Sequence, residues 1–228
     1  MIPPHPSRQA LAVAVLAALS ALVPPAAGQP EPAGADRWEA AIRAFEERDR
    51  ANPPPKGGVV FLGSSSFRRW DLEKAFPGRG LINRGFGGSQ MADALRHLDR
   101  IVLPLEPRTL LLYEGDNDIG RGKSPDTVES EFRELVARVR ERLPATHVVF
   151  VAIKPSLRRW HVIEKVREAN SRIRAVAEAD ALVTFVDVGT PLLGPDGKPR
   201  PDLFVEDQLH LNGAGYAIWA ELLAPYVE

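Results

Sequence analysis

Apolar positions along this chain fall into two alternating rhythms. Short unbroken runs at Val59 to Leu62, Thr109 to Tyr113, His147 to Ile153 and Val183 to Val188 are separated by longer segments whose apolar residues recur every three or four positions. Runs of that length, polar on neither face, predict interior strands of a parallel sheet, and the spaced positions predict amphipathic helices. Leu81 to Asn83 adds a short strand. Helices are predicted over Asp36 to Arg50 (Trp38, Ile42, Phe45), Met91 to Val102, Pro125 to Leu143 (Val128, Phe132, Leu135, Val139), Val162 to Asp180 and Gly213 to Tyr226. Asp36 caps the first, Pro53 to Pro55 stop it, and Asn212 caps the last. Strand and helix in alternation imply right-handed crossovers, hence a single-domain α/β fold in three α/β/α layers.

The amino terminus breaks this rhythm. His5 and Arg8 precede an apolar run from Ala10 to Val23, short for a bilayer span, then prolines and the small residues Ala26-Ala27-Gly28. The pattern predicts a cleaved signal peptide over residues 1–28, a flexible leader over 29–35 and the folded domain over 36–228. The expectation is export to the periplasm or the extracellular space, with no integral membrane segment after cleavage. The 228 residues contain no cysteine, which removes a disulfide framework, a thiolate nucleophile, a Cys-based zinc site and a lipid-modified N-terminus. A net charge of −1 argues against nucleic acid or an anionic membrane as the main partner.

Candidate chemistry sits at the strand ends, where open α/β sheets place it. Val59 to Trp70 runs a buried strand into Gly63-Ser64-Ser65-Ser66, and Ser65 is the candidate nucleophile. Taken alone, the serines read equally as a turn capping the next helix. Asn83 to Ser89 is glycine-rich, which permits positive φ and close approach of an N–H to a ligand. It is no dinucleotide loop, because Gln90 stands where G-x-G-x-x-G needs its third glycine. Gly115-Asp116-Asn117-Asp118 places a carboxamide after a strand, able to donate to an oxyanion while its acids brace the loop. Asp116 and Asp118 also suit a divalent ion, but the scattered histidines offer no metal-ligand spacing, so no metal or cofactor is expected. Asp207-Gln208-Leu209-His210 puts an acid and an imidazole three apart, the pattern of a base and its orienter. His97, His147 and His161 read as surface or internally satisfied residues.

Together these four blocks resemble the SGNH or GDSL-type esterases and lipases. The resemblance spans nearly the whole mature chain. Ser64 and Ser66 replace the aspartate and leucine of the name-giving motif, and either is a minor alternative nucleophile. By resemblance, Ser65 is the nucleophile, Ser65, Gly88 and Asn117 form the oxyanion hole, His210 is the base and Asp207 orients it. The implied fold is a five-stranded parallel sheet of flavodoxin-like order. The implied activity is hydrolysis of small-molecule or glycan esters of short acyl groups, with no cofactor. A lysophospholipase or thioesterase is the alternative, and a non-catalytic carbohydrate-binding module a further one. Arg68, Arg69, Arg84, Trp70 and the Arg158 to His161 run read either as lining for a sugar or anion or, more simply, as solvated arginines and packed tryptophan.

Overall fold

The structure is a computed structural model that describes Met1, Ile2 and residues 37–228. Apart from Met1 and Ile2, the expected signal, the leader and the Asp36 cap lie outside the described residues. Five strands, β1 (Val59–Gly63), β2 (Ile82–Gly85), β3 (Thr109–Tyr113), β4 (His147–Val151) and β5 (Val183–Val186), form one sheet. Its order is β2-β1-β3-β4-β5 and every neighbouring pair is parallel. This is the doubly wound order that the resemblance implied. The chain moves outward from β1 to β2, then returns past β1 to β3, so the winding reverses between β1 and β3. Ligands in such sheets sit beyond the carboxyl ends of the strands at that reversal.

Eight helices accompany the strands among the described residues: α1 (Glu39–Ala51), α2 (Ser65–Arg68), α3 (Leu72–Ala75), α4 (Met91–Ile101), α5 (Asp116–Gly120), α6 (Pro125–Arg142), α7 (Ile163–Glu178) and α8 (Gly213–Leu223). None is long and apolar enough to cross a membrane. Alternation along the strands divides the core in two. Val60, Leu62, Leu110, Leu112 and Phe150 pack with Ile42, Leu98, Phe132 and Ile173 from α1, α4, α6 and α7. Phe61, Leu111, Tyr113 and Val149 face the other layer, with Phe67, Trp70 and Trp219. A slip of one residue would exchange these two sets, so the packing fixes the register. In that register Gly63 lies beside both Gly85 and Tyr113. The segments leaving β1, β2 and β3 therefore start level with one another.

Strand and helix limits depart from the sequence reading where local chemistry intervenes. β2 runs to Gly85 because its polar residues are themselves engaged: Asn83 Nδ2 donates to the Phe67 carbonyl at 2.7 Å, and buried Arg84 pairs with Asp49 and donates to the Ile101 carbonyl at 3.0 Å. Arg84 is thus a core ion pair and not a solvated arginine. β4 and β5 end two residues early, at Val151 and Val186. α8 gives way at Ala224 to a 3₁₀ turn containing Pro225, which lacks the N–H an α-helix would need there.

Candidate active site

Ser65 opens α2, one turn of helix set against the end of β2. A Cβ on Gly85 would stand 2.3 Å from the Arg68 backbone nitrogen, so the turn docks only on glycine. Of the three serines, Ser65 meets the imidazole: its Oγ lies 2.7 Å from His210 Nε2. Ser64 and Ser66 are buried. The Ser66 carbonyl accepts from Tyr216 Oη at 2.7 Å, and Trp70 stacks on the same tyrosine, so Trp70 packs beneath the loop.

Asp207 and His210 are brought together by a turn of their own. Asp207 Oδ1 accepts the backbone N–H groups of Leu209 and His210, both at 2.9 Å, while Oδ2 lies 2.6 Å from His210 Nδ1. Gln208 takes a φ of +56° to close that turn. Burial pushes the Asp207 carboxyl up, but the two N–H groups and the imidazole outweigh it and hold it well below the usual carboxylate range. Burial lowers the His210 pKa, and the nearby Arg69 charge lowers it further against the opposing pull of Asp207. The imidazole is therefore neutral at neutral pH, with Nδ1–H spent on Asp207 and Nε2 open to accept the serine proton.

The oxyanion-hole candidates converge from the neighbouring strand ends. Gly88 has a φ of +81°. Among the described residues, neither the Ser65 nor the Gly88 backbone N–H has an acceptor. Asn117 stands on α5, its Nδ2 donating to the Ser89 carbonyl at 2.9 Å and its Oδ1 accepting from Arg159 Nη2 at 2.9 Å. One hydrogen of that Nδ2 is used, leaving the second for a ligand. All five predicted site residues thus belong to one carboxyl-end edge of the sheet. The model of the GDSL-like lipase/acylhydrolase family matches residues 57–218, which include all five.

The chain belongs to that family.

This GDSL-like chain is similar in fold to a proposed platelet activating factor from Streptococcus pneumoniae, with 23% identity, 83% of this chain and 92% of that one covered, and a TM-score of 0.76. A GDSL-like lipase from Bacteroides thetaiotaomicron shares 22% identity over 82% of this chain and 97% of its own, with a TM-score of 0.73. The acetylxylan esterase of Geobacillus stearothermophilus follows at 16% identity, 76% and 95% coverage and a TM-score of 0.62. No curated protein matches the sequence significantly.

The two aspartates of the GDSL-like chain's third block do different work. Asp118 braces the loop as expected, accepting Gly115 N–H at 3.1 Å and Met91 N–H at 3.2 Å, with Lys123 Nζ 2.7 Å away. Asp116 instead binds Lys154 Nζ at 2.8 Å, Tyr113 Oη at 3.0 Å and the Arg159 guanidinium. Burial raises its pKa, but Lys154 and Arg159 overcome this and hold it to about 2. Arg159 is therefore not a solvated arginine: it ties Asp116 to the Asn117 amide. Sequence reasoning also passed over Glu114, fully buried behind the glycine loop, with Oε1 accepting from Ser89 Oγ at 2.5 Å. Its Oε2 has no partner among the described residues. Burial pushes this carboxyl well above its usual range, which favours the neutral acid. The available signal was position alone, since Glu114 follows β3 directly and Lys154 to Arg159 follow β4. His147, read as satisfied, lies 2.8 Å from Thr184 Oγ1.

Proposed function

We propose that this chain is a secreted serine esterase that hydrolyses short-chain, acetyl-type carboxylic esters, including esters on carbohydrates. The observation that carries the reading is the unbroken contact from Ser65 Oγ to His210 Nε2 at 2.7 Å and from His210 Nδ1 to Asp207 Oδ2 at 2.6 Å. Ser65 attacks the ester carbonyl as His210 takes its proton, and Asp207 stabilises the imidazolium. The oxyanion is met by the N–H groups of Ser65 and Gly88 and the second Nδ2–H of Asn117. His210 then returns the proton to the leaving alkoxide, giving alcohol and an acyl-Ser65. Water, activated by the same imidazole, repeats the attack and releases the acid.

Acetyl specificity draws support from the fold shared with the Geobacillus acetylxylan esterase. Export draws support from the Ala10 to Val23 run and the small residues after it. The test is initial rates on p-nitrophenyl acetate, butyrate, octanoate and laurate for the mature protein and Ser65→Ala. Rates that fall with chain length and vanish in the variant are expected. A preference for octanoate or laurate overturns the short-acyl reading, and full activity in Ser65→Ala overturns the nucleophile.

A further inference from the structure

Three guanidinium groups from three separate elements close around the glycine loop of the site. Arg68, one turn after Ser65 on α2, lies over Gly87: its Cζ is 2.8 Å from where a Gly87 Cβ would stand. The corresponding point on Gly88 lies 3.3 Å from Arg37 Nη2, just ahead of α1, and 3.7 Å from Arg121 Nη2. Arg121 is itself tethered to the site, its backbone N–H donating to the Asn117 carbonyl at 3.0 Å. All three side chains are exposed. Among the described residues none of the three has an acidic partner within ion-pair distance, whereas Arg84 pairs with Asp49, Arg100 with Glu39 and Glu46, and Arg159 with Asp116.

Overall basicity does not explain this cluster, because the chain carries a net charge of −1. The site's acids have other partners, Asp116 being paired with Lys154 and Arg159, Asp118 with Lys123 and Asp207 with His210, while buried Glu114 accepts from Ser89 Oγ. Like charges held this close repel one another, a cost that an anion placed among them would reverse. A groove of about 960 Å³ along α1, lined by Arg37, Trp38, Arg48, Arg68, Phe86 and Gly87, leads away from the same point. It leaves room for the remainder of an extended substrate.

We propose that the natural ester carries an anionic group, a carboxylate, phosphate or sulfate, close to its scissile carbonyl, bound by Arg37, Arg68 and Arg121. This rests on the esterase reading and narrows its substrate class. Guanidinium suits such groups because its planar fork pairs two N–H donors with two oxygens.

The test compares 4-acetoxybenzoate and 4-acetoxyphenyl phosphate with the neutral methyl 4-acetoxybenzoate, in wild type and in the triple variant Arg37→Gln, Arg68→Gln, Arg121→Gln. In wild type at least one anionic ester is expected to have a kcat/KM about tenfold or more above the neutral one, mainly through KM. That ratio should collapse as salt rises from about 0.02 to about 0.5 M, and fall about tenfold in the triple variant. Carboxylate over phosphate, or the reverse, identifies the anion and supports the proposal either way. A ratio unchanged by the substitutions, or no anionic preference in wild type, overturns it. If wild type hydrolyses none of the three, the esterase reading fails, and calorimetry with 4-hydroxybenzoate and inorganic phosphate decides the anion site. Tighter binding of either probe by wild type than by the triple variant supports it, and equal or absent binding overturns it.

Discussion

Arg159 Nη2 donates to Asn117 Oδ1 at 2.9 Å, so a guanidinium pulls on the carbonyl end of the amide whose other end is the proposed oxyanion donor. The contact fixes which end of the carboxamide is which, and it makes Nδ2–H a stronger donor. Removing Asn117 is expected to cost about a hundredfold in kcat, near 3 kcal/mol. Arg159→Ala should cost about tenfold in kcat with KM little changed, since its effect passes through Asn117. In the double variant Arg159→Ala, Asn117→Ala, the arginine change should add almost nothing. Steady-state kinetics on p-nitrophenyl acetate in a double-mutant cycle check this, and fully additive losses would separate the two residues.

The acid limb of the kcat/KM profile should lie below the ordinary histidine value of 6.5, because burial and Arg69 both lower the His210 pKa. A lowered value keeps the imidazole neutral, and so competent as a base, further into acid. Arg69→Gln removes one of those two influences, and the limb should move upward. A pH–rate profile of both proteins decides it.

Glu114 supplies a stability signature with a defined sign. Its folded pKa is raised above the 4.5 of the unfolded chain, so the unfolded state releases its proton first. The stabilisation this group contributes is complete below pH 4.5 and is lost as pH rises through its folded pKa. Glu114→Gln keeps a neutral group beside Ser89 without that proton. Relative to the variant, wild type should lose stability as pH rises above 4.5 toward the raised folded pKa, measured by urea unfolding at each pH. Parallel curves would mean that Glu114 is charged in the folded protein.

Gly85→Ala should unseat α2. With a Cβ 2.3 Å from the Arg68 nitrogen, the turn carrying Ser65 must shift or the strand must bend. The expected loss is about 3 kcal/mol of stability, together with most of the esterase activity. Chemical denaturation and rates on p-nitrophenyl acetate measure the two effects.

Much of this architecture was legible from residue order, and its limits have physical causes. β1 and β3 announced themselves because burial on both faces demands uninterrupted apolar residues. β2 read two residues short because Asn83 and Arg84 satisfy their polar groups inside the protein through partners distant in sequence. The Asp207 to His210 turn was readable because its contacts are local. Arg159 was not, since its partners Asp116 and Asn117 lie 43 and 42 residues away and only the level register of the strands brings them together. Glu114 escaped for the opposite reason: nothing in a sequence marks a carboxyl that will be kept protonated.

The turn from Asp207 to His210 also has a mechanical meaning. Asp207 grips the backbone of the residue whose ring it orients, so acid and imidazole are welded into a single four-residue cassette. Of the two links in the Ser65–His210–Asp207 line, only the one between Ser65 and His210 joins separate parts of the chain. The alignment problem across the sheet is thereby reduced from three bodies to two.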